Sequence, residues 1–220
     1  MRFCSRLTAT TLLAAAAVSG LAGCKSRGEI VINEGVGITA VRSRCPAVGI
    51  PHHTGDITLF ASPGNKSAAN IDVVAAMTNL RPQCGEDGDP VVSRVAFDVL
   101  ARRTNVQGAR RVTLPYFVTV LRGGNTVVTK RVGQVTLNFA NGQERAQARG
   151  EGIGYVDRAS ATLPEDIRRR ITRKRKAGDA DAAIDPLADP EVKAAIARAT
   201  FELLVGFQLD ESQLAYNATR

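Results

Sequence analysis

The sequence predicts a mainly β protein, with a β-sandwich domain over residues 36–157 and a helical C-terminal extension over residues 158–220 that packs on the sandwich. Three observations favour this fold. Apolar and polar residues alternate with the period of two that half-buried strands require. Glycine and asparagine separate the alternating runs, and the composition becomes charged and typical of helices after residue 160.

The clearest strand pattern is RVAFDVLAR, residues 94–102, in which every second residue from Val95 to Ala101 is apolar. The run QVTLNFA at residues 134–140 alternates in the same way. Short strands with frequent turns are typical of a sandwich. We expect strands near residues 37–42, 56–61, 70–79, 92–103, 111–121, 126–132, 134–140 and 144–155.

Turn residues suggest how these strands connect. Asn141-Gly142 predicts a hairpin because both central turn positions favour residues that tolerate positive φ, and Gly123-Gly124 predicts a second one. Pro115 lacks an amide and suggests an edge or a bulge in an otherwise apolar run. The pattern fits an immunoglobulin-like or Greek-key sandwich, and the absence of Trp makes any likeness to immunoglobulin domains architectural only.

Two helices are expected in the C-terminal extension. The first begins at Thr162, whose side chain we expect to cap the first turn, and ends at Gly178. The second runs from Asp189 to Gly206, because apolar residues recur at i, i+4, i+7 and i+11 along one face. A short strand and a last turn capped by Asp210 follow.

The N-terminus has the organisation of a targeting peptide. Arg2 and Arg6 precede the 18 uncharged residues 7–24, which end in small residues before Cys24. This stretch is at the lower limit of a membrane span and is interrupted by Ser and Thr. An export signal with a short apolar core fits it better than a helix that stays in the membrane, which is the alternative.

Leu21-Ala22-Gly23-Cys24 resembles the lipobox of bacterial lipoproteins, although the resemblance covers only this segment. It implies that residues 1–23 are removed as a signal peptide, that Cys24 is lipidated, and that residues 24–35 form a tether. About three acyl chains would exceed the two signals needed for stable anchoring. Lys25 replaces the aspartate that usually retains such proteins at the inner membrane, which implies the periplasmic face of the outer membrane.

The remaining cysteines then form a pair. Cys4 leaves with the signal and Cys24 carries the lipid, so Cys45 and Cys84 remain in a compartment that oxidises thiols. A bridge between them would contribute roughly 4 kcal/mol in the chain-entropy model. Two buried free thiols are the alternative.

The protein without its signal has 220 − 23 = 197 residues, enough for one domain with a substantial core. Its side chains include 29 − 2 = 27 basic and 21 acidic groups, a charge of +6. The densest basic segment is RRRITRKRK, a possible binding surface for an anionic glycolipid, a lipid surface or an acidic envelope protein. Its basic residues are Arg168, Arg169, Arg170, Arg173, Lys174, Arg175 and Lys176.

The balance of charge favours a solvated helix for this segment, because residues 163–220 hold ten basic and ten acidic side chains. No aromatic residues alternate with the basic ones as stacking platforms, so no nucleic-acid partner is expected.

Other motifs indicate neither a cofactor nor a metal. His52 and His53 are the only histidines, and their neighbours do not have metal-ligand spacing. The GEGIG run at residues 150–154 does not precede a helix, so its glycines more often mark close backbone approach than a phosphate loop.

A carboxylate pair among Glu144, Glu151 and Asp157 leaves an envelope hydrolase as an alternative. No activated nucleophile is visible, however, and the sequence favours a lipid-anchored envelope protein with a non-catalytic binding or scaffolding role.

Overall fold

The computed structural model describes residues 39–86, 88–176 and 178–219. The predicted signal peptide, Cys24 and the tether lie outside the described residues. The mainly β prediction is confirmed, because the described residues form eight strands in two four-stranded sheets. The strands are β1 Ala47–Gly49, β2 Asp56–Phe60, β3 Ile71–Gly85, β4 Val91–Arg103, β5 Arg110–Arg122, β6 Thr126–Phe139, β7 Arg145–Val156 and β8 Phe201–Phe207.

The two sheets have the orders β2-β3-β4-β7 and β1-β8-β5-β6. All neighbours are antiparallel except β1 and β8, which are parallel. Strands β5 and β6 form a hairpin, β7 lies beside β6 where the sheets meet, and β8 returns to pair with the free edge of β5. This order follows the Greek-key alternative, since the last two strands of an immunoglobulin domain share one sheet.

The two predicted hairpins have different outcomes. The turn at Gly123-Gly124, with φ of +62° and +80°, joins β5 to β6 as expected. The hairpin prediction at Asn141-Gly142 is wrong, because β6 and β7 belong to different sheets and this turn carries the chain from one to the other. The two strands predicted between residues 126 and 140 are one continuous strand.

The C-terminal segment is less purely helical than expected. Its helices are α1 Glu165–Thr172, α2 Pro190–Ala199 and α3 Glu211–Thr219. The predicted continuation of α2 to Gly206 is wrong, because residues 201–207 form β8 between β1 and β5. The segment after residue 157 therefore completes the sandwich as well as covering it.

Pro115 lies in the inner strand β5, not at an edge or a bulge, just beyond the last residue pair of the ladder to β8. Its carbonyl accepts a hydrogen bond from the Gln208 amide. Because the N–H and C=O of one strand residue point to the same side, the missing amide faces the end of β8 and not the paired strand β6.

The helix starts follow the sequence signals only in part. Asp189 caps α2 and Asp210 caps α3, since their carboxylates accept from the amides of Glu191 and Gln213 at 2.8 Å each. The prediction that Thr162 caps α1 is wrong, because its hydroxyl donates to the carbonyl of Arg158.

Two apolar clusters hold these elements together. The main one fills the space between the sheets and contains Phe97, Phe139 and Phe207. A smaller one packs α1 against α2 through Ile171 and Val192. Among the described helices, none combines the length and the apolar character needed to cross a bilayer.

Candidate functional site

A disulfide ties the start of the described chain to the sandwich. Cys45, just before β1, is bonded to Cys84 near the end of β3, with a Cα–Cα distance of 6.0 Å. The predicted pairing is therefore confirmed. It bridges 39 positions of sequence and fixes the first segment against a strand of the opposite sheet.

A carboxylate lies beside this disulfide. Glu86 Oε1 accepts a hydrogen bond from the Ser43 hydroxyl at 2.5 Å and lies 3.2 Å from Cys45 Sγ. The Ser43 hydrogen bond is the main cause that lowers the pKa of Glu86 below its ordinary value, with smaller help from Arg44. The Glu86 side chain is thus a carboxylate next to the sulfur at neutral pH.

The segment that enters the domain lies against the C-terminal helices. The Ala40 amide donates to the Ile171 carbonyl in α1 at 2.9 Å. Arg42 donates to the Thr200 hydroxyl at 2.8 Å, and Arg44 donates to the Thr162 hydroxyl at 3.0 Å. Residues 40–44 line a groove of about 210 Å³ against α1. The described chain therefore begins beside helix α1.

Four of the predicted basic residues are held in ion pairs. Helix α1 ends at Thr172, so the last four basic residues follow the helix and do not extend it. Their acidic partners are Glu165 at the start of α1, Asp181 in the loop after it, and Glu191 at the start of α2. The pairs are Arg168–Glu165 at 2.5 Å, Arg170–Glu191 at 2.8 Å, Arg173–Asp181 at 3.3 Å and Arg175–Asp181 at 3.3 Å.

The basic surface is consequently smaller than the sequence indicates. The Arg175 side chain is only 5% exposed, which removes it from any outer surface. Arg169, Lys174 and Lys176 are exposed and form no ion pair with a described residue. A groove of about 770 Å³ beside α1 is lined by both arginines and aspartates. The segment thus offers three cations that have no ion pair among the described residues, next to a mixed-charge groove.

Among the described residues, the histidines are not grouped with other metal-ligating side chains. His52 and His53 lie in a turn, and the His53 carbonyl accepts from the Asn217 side-chain amide at 2.8 Å. Within the part of the chain that the structure describes, no three His, Cys, Asp or Glu side chains are grouped for a metal.

The three carboxylates considered for hydrolysis are also separated. Glu144 precedes β7, Glu151 lies in its middle, and Asp157 follows it. At about 3.3 Å per strand residue, neighbouring members of this set are roughly 20 Å apart along the strand. Glycosidase-type carboxylate pairs are about 5–10 Å apart. Glu144 forms an ion pair with Arg102 at 3.6 Å, and Asp157 accepts from the Ser160 amide at 2.7 Å.

One exposed surface was not predicted from the sequence. The first half of β6, residues 126–132, is exposed on both faces although it lies in a sheet. Val127, Val128 and Val132 are 61%, 47% and 61% exposed. The sequence signal was the run TVVTKRV, which does not alternate and contains adjacent apolar residues that cannot all face one core.

Comparison of the chain with protein-family models, with curated proteins and with solved structures finds no significant match.

Proposed function

We propose that the protein is a lipid-anchored envelope protein with a non-catalytic binding or scaffolding role at the periplasmic face of the outer membrane. The observation that carries the proposal is the Cys45–Cys84 disulfide. Once a lipobox cysteine and the leader are set aside, these are the two cysteines left, and they are bonded to each other. Such a bond persists in the periplasm and is rare in the cytosol.

The geometry of the entering segment suits an anchored domain. Fourteen residues separate Cys24 from Thr39, so the lipid and the domain are at most about 50 Å apart. The disulfide and the hydrogen bonds of Ala40, Arg42 and Arg44 fix the point where this segment meets the fold. An anchored protein would be attached through the part of the domain that contacts helix α1.

Metabolic labelling with radioactive palmitate tests the anchor. We expect the full chain to incorporate label and Cys24→Ala to incorporate none, because the thioether forms on that sulfur. Cys4→Ala is the matched control, since it removes the other cysteine of the leader and should leave labelling unchanged. Equal labelling of Cys24→Ala, or a mature protein whose mass shows no acyl groups, would refute the anchor.

A second candidate function is binding to an anionic glycolipid or lipid surface. It is favoured by the exposed cations Arg169, Lys174 and Lys176, which form no ion pair with a described residue. Each basic residue near an anionic surface contributes about 1 kcal/mol, and the attraction fades within a Debye length. The proposal concerns these three residues, since the other four are neutralised by neighbouring carboxylates.

Vesicle flotation tests this second candidate with the chain from Lys25 onward, which keeps every described residue. We expect it to float with vesicles that contain lipopolysaccharide or phosphatidylglycerol, and to be released by salt. Changing Arg169, Lys174 and Lys176 together to Gln should abolish flotation. Changing Arg94, Arg111 and Arg145 to Gln removes the same charge elsewhere and should not. Equal loss in both variants would show that only net charge matters.

A further inference from the structure

Strand β6 ends the hydrogen-bonded order of its sheet, and β7 of the other sheet lies beside it. It forms one edge of its sheet, with β5 on its other side. Residues 126–132 are all exposed, three of them valines, although the ring of Tyr155 in β7 lies against Arg131. An edge of this kind is a template for an additional strand. Recognition by strand addition combines main-chain hydrogen bonds with contacts to alternate side chains.

The two strands at this edge of the sheet carry only basic charges. Strands β5 and β6 contain five basic residues and no acidic one. Arg110 is paired with Asp72 at 2.6 Å, whereas Arg122, Lys130 and Arg131 form no ion pair with any residue that the structure describes. Lys130 and Arg131 lie over the rings of Phe117 and Tyr155, at 5.1 and 5.8 Å from the ring centroids. These aromatic contacts hold the two cations beside the exposed backbone.

The same charges discriminate between possible occupants. Pairing of two β6 edges would bring Lys130 and Arg131 of two copies into one short ladder, where like charges repel. A strand that carries Asp or Glu would meet the opposite charge and could contact the valines with its apolar residues. The edge is thus protected against self-association and open to an acidic partner.

We propose that residues 126–132 of β6 bind an extended acidic segment of a partner protein, which adds to the sheet as a fifth strand. The inference specifies the partner for the binding role proposed above and does not require the lipid anchor. Lys130 and Val132 lie on one face of the strand and Arg131 lies on the other, with a bulge at Val128. Apolar residues of the segment would pack on the exposed valines of one face, and its carboxylates, on the opposite face, would meet Arg131.

The test uses a capped peptide, Glu-Val-Glu-Thr-Glu-Val-Glu-Thr, and the 15N-labelled chain from Lys25 onward. We expect the peptide to shift amide resonances of residues 126–132, and a peptide with Lys at each Glu position to cause no shift. Lys130→Glu/Arg131→Glu should weaken binding of the acidic peptide about tenfold or more, because like-charge contacts cost several kcal/mol. The same variant should gain binding of the basic peptide. Arg94→Glu/Arg145→Glu, which reverses two charges on the other sheet, should change neither.

Several results would overturn the proposal. They are the absence of shifts at millimolar acidic peptide, shifts confined to residues outside 126–132, equal binding of both peptides, or concentration-dependent dimerisation of the free chain through β6. Because the chain used here carries no lipid, failure of this experiment leaves the palmitate result unaffected, and loss of palmitate labelling leaves this binding unaffected.

Discussion

Gly150 of β7 lies directly against the ring of Phe97 on the paired strand β4, so that a Cβ atom at position 150 would overlap the ring. The next two glycines on the same face are also crowded. A Cβ at Gly152 would lie 2.9 Å from Val118, and one at Gly154 would lie 2.6 Å from Leu203. The GEGIG run therefore lets β7 approach the opposite sheet, as its sequence context indicated.

Replacing Gly150 by Ala should destabilise the fold. The added methyl group must displace a fully buried ring, and overpacking of this kind typically costs about 1–3 kcal/mol. Urea unfolding gives the free energy directly. Gly64→Ala is the control, because nothing lies within 4 Å of its Cβ, and it should change stability by about 0.5 kcal/mol or less. Equal stability of the two variants would contradict the contact.

The strands that alternation predicted are those with one buried face, and β4 is the clearest of them. Strand β8 could not be predicted in this way, because FELLVGF is apolar on both faces and continues the helical spacing of α2. These residues form a strand because they pair with β1 on one side and β5 on the other. Asn141-Gly142 correctly indicated a turn, but a local signal cannot specify which sheet the next strand joins.

The sequence predicted which residues make up the basic segment, but not which of them form ion pairs. The equal numbers of basic and acidic residues after position 162 indicated that charges could balance. Which arginines are neutralised depends on how the acidic loop folds back onto α1. Arg173 and Arg175 share Asp181, whereas Lys174 between them forms no ion pair with a described residue. A run of basic residues in the sequence does not show which of them will meet a carboxylate in the fold.

The carboxylate of Glu86 should protect the disulfide. A thiolate that attacks Cys45 would approach the negative charge of Glu86. A thiolate that leaves on the Cys45 sulfur would form 3.2 Å from that charge. Glu86→Gln should therefore be reduced several-fold faster by dithiothreitol at neutral pH, as measured by mass spectrometry after quenching. Glu144→Gln, at an exposed carboxylate that pairs with Arg102, is the control. An unchanged rate in Glu86→Gln would contradict the electrostatic effect.

Removing the disulfide should cost a large part of the stability. The loop between Cys45 and Cys84 corresponds to about 4 kcal/mol in the chain-entropy model, and measured losses are commonly about 2–5 kcal/mol. We expect Cys45→Ser/Cys84→Ser to unfold at lower urea concentration than the oxidised protein. Reduction of the unaltered chain should reproduce the loss, and Cys4→Ser should not. Identical midpoints would show that the bond adds no stability.

Acid should destabilise the protein through Asp98 in particular. Two hydrogen bonds from Arg81, at 2.8 and 2.9 Å, and one from Asn79 hold the pKa of Asp98 well below its ordinary value of 3.8. A carboxyl group with a lower pKa in the folded state stabilises the fold above its unfolded pKa, and this contribution is lost as the pH falls below that value.

The melting temperature of the unaltered protein should therefore fall between about pH 5 and pH 2, and that of Asp98→Asn should fall less. At pH 7 the variant should be the less stable of the two, because it lacks the stabilised carboxylate. Glu211→Gln, at the exposed start of α3, should follow the unaltered protein at every pH. Parallel pH profiles for Asp98→Asn and the unaltered protein would contradict the assignment.

Arg103 should resist even a conservative replacement. Its side chain is 1% exposed, and its guanidinium donates to the carbonyls of Val106 and Ala140 at 2.8 Å and of Gln143 at 2.9 Å. Val106 lies in the crossing from β4 to β5, and the other two lie in the crossing from β6 to β7. One side chain thus joins both connections between the sheets on this end of the sandwich.

Lys cannot reproduce that arrangement, because a single ammonium lacks the planar fork that reaches separated carbonyls. Each buried carbonyl left without a donor costs about 1–3 kcal/mol, so Arg103→Lys should lose roughly 2–4 kcal/mol of unfolding free energy. Arg94→Lys, at an exposed position of the same strand, should lose about 0.5 kcal/mol or less. Urea unfolding compares the two, and amide exchange at residues 104–109 and 140–144 should accelerate only in Arg103→Lys. Equal stabilities would show that the positive charge suffices without the fork geometry.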